Sequence, residues 1–158
     1  MIVRAMRFLG AGAILAVGAV HLQQYIAGYR AIPTVGTLFL LNAIASAIVG
    51  IGLLAPIGRV SVARRAGGAI GMLALAGVAI AVGSLVALFI SESGSLFGFS
   101  ESGYRTPIVV AIIAEAATVV LLAPVATLTL LRPVSRQRGA TTRRRGSRES
   151  RPDYSAAR

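Results

Sequence analysis

The sequence contains no cysteine, tryptophan or lysine, and only 13% of its 158 residues are charged. Without cysteine the chain can form neither a disulfide-bonded scaffold nor a thiolate metal site, and it cannot be a cysteine-dependent enzyme. Soluble domains carry about a quarter charged residues. Because 56% of the residues are hydrophobic, the chain is too apolar for one soluble core and too apolar to be disordered throughout. These absences predict an integral membrane protein.

Four apolar segments supply the predicted membrane spans. They lie at about residues 8–29, 36–57, 68–90 and 107–131. Each is long enough to cross about 30 Å of hydrocarbon as a helix, and a helix satisfies its own backbone polar groups in lipid. We therefore predict an all-α fold, an antiparallel bundle of four transmembrane helices. Small residues spaced four apart, such as Gly77 and Ala81, predict close packing with the third helix at the centre.

The positions of the arginines predict the orientation, because short cytoplasmic loops carry an excess of basic residues. All sixteen basic residues are arginine, and most lie before the first span, between the second and third, or after the fourth. The first and third loops hold one each, Arg30 and Arg105. We therefore expect both termini to be cytoplasmic. Most of the aromatic residues in and between the spans, Tyr29 and Phe39 among them, lie toward the outer face, and Phe8 marks the inner one. Interfacial rings are common at such positions.

Residues 132–158 differ in composition from the rest of the chain, being rich in Arg, Ser, Thr and Gly. This composition predicts a disordered cytoplasmic tail. Four of its arginines are candidate contacts for anionic lipid: Arg143, Arg144, Arg145 and Arg148. Nucleic-acid binding is not expected, because neither a folded domain nor stacking aromatic residues accompany the charge.

The N-terminus has a second interpretation. Arg4 and Arg7, the apolar run that follows and the small residues Val17-Gly18-Ala19 resemble a secretory signal peptide with its cleavage site. The apolar segment continues past this site to Tyr29, which favours an uncleaved first helix.

One polar residue in each span lies at nearly the same predicted depth. At 1.5 Å per residue, each falls about 9–12 Å inside the outer end of its span. These residues are His21, Asn42, Ser84 and Glu115. An ionisable residue within a span turns inward and finds a partner. We therefore expect His21, the only histidine, and Glu115, the only acidic residue within a predicted span, to approach each other.

This polar layer has two interpretations. It is a ligand- or proton-binding site, or it provides hydrogen-bonding contacts between helices. The candidate site also includes two residues that share the helical face of His21, so the full set is His21, Gln24, Tyr25, Asn42, Ser84 and Glu115. No catalytic residue and no cofactor is predicted, although a quinone or a lipid headgroup is possible. A metal site is not expected, because one histidine and one carboxylate are too few ligands.

The residues from His21 to Tyr25, the run Ile32-Pro33-Thr34-Val35-Gly36 and the segment Leu38 to Asn42 are similar to small four-helix membrane proteins of high-GC Gram-positive bacteria. The arginine- and alanine-rich composition suits such a genome. The resemblance implies four spans and a bacterial plasma membrane, but no activity. A similarity to DoxX-like proteins rests on architecture alone.

Three functions follow as hypotheses. The first is a small binding or transport module that uses the polar layer. The second is a non-catalytic accessory or assembly subunit of a larger membrane complex, or a homo-oligomer, in which the layer only joins helices. The third is a membrane-embedded redox or lipid-modifying enzyme. A hydrolase that uses Ser84, His21 and Glu115 has the residue types but lacks the turn that usually presents a nucleophilic serine.

Overall fold

The computed structural model describes residues 1–56, 63–95, 97–98 and 105–131, with the backbone alone for 63–67. These residues form four α-helices and a short 3₁₀ turn at Tyr29–Ala31. The helices are α1 (Ile2–Ala27), α2 (Val35–Leu54), α3 (Ala63–Ser93) and α4 (Thr106–Leu130). Each is long and apolar enough to cross a membrane. The predicted all-α fold with four spans is confirmed, and the chain is a multi-pass membrane protein.

The helix bounds differ from the predicted spans because hydropathy marks only the part of a helix that lies in hydrocarbon. α1 begins at Ile2, before the predicted span, since its first turns carry Arg4 and Arg7 without breaking the helix. α2 ends at Leu54, earlier than predicted, because Ala55 adopts an extended conformation next to Pro56.

The helices pack side by side in chain order. α1 packs against α2 and α4, and α3 packs mainly against α4. α2 and α3 are neighbours that meet along a much shorter stretch, and α1 and α3 lie across the diagonal and barely touch. We call the end of the bundle with the α1–α2 and α3–α4 connections the connection end, and the opposite end the terminal end.

The prediction that the third helix lies at the centre of the bundle is wrong. α3 has the smallest buried share of the four spans, 17% against 28–33% for the others. The small residues that prompted the prediction occur on both faces of the helix, because Ala81 is buried whereas Ala79 and Gly83 are exposed. Residue size alone does not tell which side of a helix meets a neighbour.

The terminal half of the bundle is closely packed. Fully buried apolar side chains from all four helices meet there, among them Ile14 of α1, Leu53 of α2, Ala74 of α3 and Leu122 of α4. Close approach of α1 and α2 depends on a glycine, since a Cβ atom on Gly18 would lie 2.9 Å from Cβ of Ser46. Such contacts supply the association energy that the hydrophobic effect does not provide between helices in lipid.

A basic side chain closes the last turn of α2. Arg7 donates from Nε to the Leu53 carbonyl at 2.6 Å and from Nη2 to the Ala55 carbonyl at 2.5 Å. The last carbonyls of a helix have no partner within it and attract cations. Arg7 therefore caps α2 from α1, and its guanidinium also lies 5.2 Å from the centre of the Phe8 ring.

Candidate functional site

The connection half of the bundle contains a cavity of about 420 Å³ between the four helices. Small residues from three helices face it: Ala45 on α2, Ala79 and Gly83 on α3, and Ala111 on α4. In the terminal half, Ile, Leu and Val side chains together with alanines fill the space between the helices. The bundle is therefore packed at one end and hollow at the other, and larger apolar side chains complete most of the cavity wall.

Five of the six predicted site residues line this cavity: His21, Gln24, Asn42, Ser84 and Glu115. The sixth, Tyr25, is not among the lining residues, and Tyr29 lines the cavity instead. The difference arises where α1 ends, because the 3₁₀ turn that starts at Tyr29 folds this ring back toward the bundle. The four residues of the polar layer predicted from depth therefore line one cavity.

Three of these side chains form a connected polar group, which we call the His–Ser–Glu relay: His21, Ser84 and Glu115. Nε2 of His21 lies 3.0 Å from Oγ of Ser84 and 3.8 Å from Oε1 of Glu115. The Ser84 hydroxyl is also a hydrogen-bond partner of the Glu115 carboxyl. Glu115 and His21 are almost fully buried, with 2% and 7% exposure. The predicted approach of His21 to Glu115 is confirmed, with Ser84 bridging the two.

The second ring nitrogen of His21 fixes the roles within the relay. Nδ1 lies 2.9 Å from the Val17 carbonyl of the same helix. A carbonyl only accepts, so Nδ1 carries a hydrogen and donates it. When the ring is neutral, Nε2 is consequently an acceptor for the Ser84 hydroxyl, whose oxygen can accept from a protonated Glu115. When Nε2 is protonated it donates to Ser84, and the carboxylate accepts. The relay can thus hold its proton at either end.

The relay differs from the triad of a serine hydrolase. In that triad the serine bonds to one imidazole nitrogen and the acid to the other. Here Ser84 and Glu115 both lie on the Nε2 side of His21, and Nδ1 is bonded to Val17. The residue types agree with a hydrolase, but their arrangement favours hydrogen bonding and proton exchange.

Two other polar side chains in the bundle bond within their own helices. Ser46 donates to Oδ1 of Asn42 at 3.0 Å, and Thr118 donates to the Ala114 carbonyl at 2.8 Å. Both hydroxyls belong to fully buried residues that do not line the cavity. They are the kind of polar residue that a packed membrane helix accommodates by bonding to its own preceding turn.

Two aromatic residues of the site, Tyr29 and Phe39, were not among the predicted site residues, because both resembled interfacial rings. The ring of Tyr29 stacks on Phe39 with centroids 4.5 Å apart, and Phe39 lies 5.1 Å from the ring of His21. Gly36 makes this possible, since a Cβ atom there would lie 2.5 Å from the Tyr29 carbonyl oxygen. In the sequence, the available signal for the inward position of Tyr29 was Gly36, a glycine seven residues later. Ser91, buried near the end of α3, also lines the cavity.

No protein-family model, curated protein or solved structure matches this chain. The site is therefore interpreted from its own geometry. Within the described ranges, no group of three or more His, Cys, Asp or Glu residues gathers as a metal ion would need. The predicted lipid contacts of the tail, Arg143, Arg144, Arg145 and Arg148, lie outside the described residues.

Proposed function

We propose that this protein is a small membrane module that binds a small, largely apolar molecule in the cavity at the connection end, with the His–Ser–Glu relay bonding to its polar group. The observation that carries the proposal is a cavity of about 420 Å³ with ionisable residues in its wall. Ligand sites occupy about 300–1,000 Å³, with mostly apolar walls and a few convergent polar groups. Ionisable residues inside a membrane protein are typical of functional sites.

A purely structural role for the layer explains the cavity less well. Polar residues that only join helices are expected in packed surroundings, as Ser46 and Thr118 are. His21, Ser84 and Glu115 instead border an open space, where three apolar residues would avoid the cost of burying polar groups. The cost of burying these polar groups also disfavours an accessory subunit that uses the layer only for packing.

The orientation and location of the protein are part of the proposal. The positive-inside distribution of arginine supports cytoplasmic termini, which places the connection end and its cavity toward the outer leaflet. The resemblance noted above supports a bacterial plasma membrane. Residues 132–158 would then extend into the cytoplasm as a disordered tail, with its arginine cluster near anionic lipid.

We also propose that the first helix is retained. Cleavage after Ala19 would remove Ala11, Ile14 and Val17, which are fully buried in the packed core. It would also remove Arg7 and its bonds to α2. An intact-mass measurement of protein extracted from its own membrane should give the mass of the chain with this segment present, and a mass that lacks residues 1–19 would overturn the proposal.

Ligand retention tests the binding function. The wild type and two variants are purified in mild detergent, and the small molecules they carry are measured by mass spectrometry. Ala111→Phe places a ring in the cavity, whereas Ala116→Phe places the same ring on an exposed position of the same helix. We expect a molecule that the wild type and Ala116→Phe retain and that Ala111→Phe loses.

The control decides between a ligand site and a structural layer. If the wild type retains no molecule beyond the lipids that an unrelated four-span protein carries, the proposed function is wrong. Equal retention by Ala111→Phe and the wild type would place the molecule elsewhere on the protein, with the same consequence.

A further inference from the structure

The cavity opens sideways, between α2 and α3. These helices meet near the terminal end, where a Cβ atom on Gly77 would be in contact with Val49, and their contact is much shorter than that of the other neighbouring pairs. Farther along, lining residues of both helices are exposed: Leu41 by 56%, and Gly83 with nothing within 4 Å of a Cβ atom. Both lie within the apolar spans. The opening therefore faces hydrocarbon.

At the connection end, side chains cover the cavity. Tyr29 is buried and stacks on Phe39, which in turn lies against His21. Arg105, just before α4, donates from Nη2 to the Tyr29 hydroxyl at 2.9 Å. This bond links the beginning of α4 to the turn after α1. Among the described residues, a stacked aromatic pair thus lies between the relay and the connection end.

The polar wall of the cavity is suited to an uncharged group. Apart from the Tyr29 phenol, its ionisable members are one imidazole and one carboxyl, and no arginine is among the described lining residues. A phosphate or carboxylate head would bring a second negative charge close to Glu115, which is costly away from water. The guanidinium of Arg105 bonds to the Tyr29 hydroxyl, but Arg105 does not line the cavity.

The relay itself offers a bonding position for such a group. The 3.8 Å between Nε2 of His21 and Oε1 of Glu115 is too long for a direct hydrogen bond. Nε2 of His21 is already bonded to Ser84, so the Glu115 carboxyl is the group open to a ligand. Its oxygens can accept from a ligand hydroxyl, and when it is protonated it can donate to a ligand carbonyl. Gln24 and Asn42 add two amide groups to the cavity lining.

From these features we infer that the ligand is an uncharged, bilayer-dissolved amphiphile that enters between α2 and α3 and bonds through a hydroxyl or carbonyl oxygen to the relay. The inference rests on the proposed binding function and adds the chemical class and the route. An opening to hydrocarbon lets a long apolar chain remain among the lipid tails while only the head occupies the cavity. A cavity of about 420 Å³ is consistent with that division.

Photolabelling in nanodiscs tests the inference. The probe is a long-chain fatty alcohol with a diazirine beside its hydroxyl, dissolved in phosphatidylcholine. After irradiation, adducts are mapped by peptide mass spectrometry. Gly83→Leu fills the opening on α3, and Gly68→Leu is the matched control, since it also meets nothing within 4 Å but lies far from the cavity on the same helix. We expect adducts on cavity residues of the wild type and Gly68→Leu, reduced about tenfold in Gly83→Leu.

Competitors identify the head group. Diacylglycerol and phosphatidate with identical chains differ by a phosphate, and menaquinone offers carbonyl oxygens without a hydroxyl. We expect diacylglycerol, menaquinone or both to reduce labelling and phosphatidate to have no effect. Competition by diacylglycerol alone identifies a hydroxyl ligand, and competition by menaquinone alone identifies a carbonyl ligand. Competition by phosphatidate, with or without diacylglycerol, would overturn the inference.

The two proposals fail in different ways. If wild-type cavity residues are labelled but Gly83→Leu is labelled equally, the route between α2 and α3 is wrong while the cavity remains a binding site. If cavity residues are labelled no more than exposed lipid-facing positions such as Ile113 and Val120, the binding function itself is wrong. Circular dichroism and thermal unfolding of Gly83→Leu and Gly68→Leu show whether both remain folded, and Ala87→Leu on the same cavity-facing side of α3 is the replacement if Gly83→Leu does not fold.

Discussion

His21 and Ser84 join the two helices that lie across the diagonal of the bundle. α1 and α3 barely touch elsewhere, yet Nε2 of His21 lies 3.0 Å from Oγ of Ser84. With Glu115 of α4 beside them, three helices meet at one polar group in the connection half, where apolar packing is interrupted by the cavity. The relay thus has a structural effect in addition to its proposed role in binding.

Removal of the central hydroxyl should weaken the bundle measurably. Ser84→Ala breaks the bond to His21, and hydrogen bonds between membrane helices contribute about 0.6–2 kcal/mol, so we expect the free energy of unfolding to fall by about 1 kcal/mol. Ser93→Ala is the control, because Ser93 is exposed and bonds only to the Phe89 carbonyl of its own helix. Unfolding in mixed micelles measures both, and equal effects would show that the bond between α1 and α3 adds nothing.

Replacement by alanine should destabilise the protein at one glycine of α1 and not at another. In Gly18→Ala the new Cβ atom would lie 2.9 Å from Cβ of Ser46 and 3.2 Å from the Ala43 carbonyl oxygen, so α1 and α2 must separate. Overpacking of this kind costs about 1–3 kcal/mol. In Gly12→Ala the Cβ atom meets nothing within 4 Å, and we expect no loss of stability. Loss in both variants, measured by the same unfolding assay, would contradict the packing described here.

The two arginines near the N-terminus should differ in importance although their charges are alike. Arg7→Met removes two bonds to the end of α2, and bonds that involve a charged group contribute about 1.5–3 kcal/mol. We expect a loss toward the lower end of that range. Arg4→Met removes the same charge, but the structure gives Arg4 a cation–π contact with Phe8 at 5.8 Å, and such exposed contacts contribute about 0.5–1 kcal/mol. A larger loss for Arg4→Met would contradict the capping role of Arg7.

The absence of cysteine allows a direct test of orientation, since every introduced thiol is unique. Gly94→Cys lies at an exposed position in the α3–α4 connection, and Ser147→Cys lies in the tail. A maleimide that does not cross membranes should label Gly94→Cys in intact cells and should label Ser147→Cys only after lysis. The opposite pattern would invert the proposed topology and place the cavity in the cytoplasmic leaflet.

Much of the fold could be predicted from the sequence, because an apolar segment of this length satisfies its backbone polar groups in lipid by forming a helix. The polar layer followed from arithmetic on helical rise, and His21, Asn42, Ser84 and Glu115 indeed line one cavity. The depth of a residue is a property of its own helix, so it can be read without knowledge of the neighbours.

The features that the sequence did not predict depend on which faces meet. The exposed side of α3 and the open space at Gly83 arise from the arrangement of α2 relative to α3, and small residues suit either a close contact or a gap. Tyr29 was assigned to the interface because it lies near the end of a predicted span. Its inward position depends on the close approach of its backbone to Gly36. Such contacts between elements leave only a weak signal in one sequence.

The short contact between α2 and α3 has a mechanical consequence. The α1–α2 hairpin and the α3–α4 hairpin are held together chiefly by the extensive packing of α1 on α4. On the other side of the bundle, the contact between α2 and α3 is much weaker. A rotation of one hairpin about the α1–α4 contact changes the separation of α2 and α3 while it preserves the larger of these two contacts between the hairpins. Any change in the volume of the cavity is therefore expected to begin at the gap between α2 and α3.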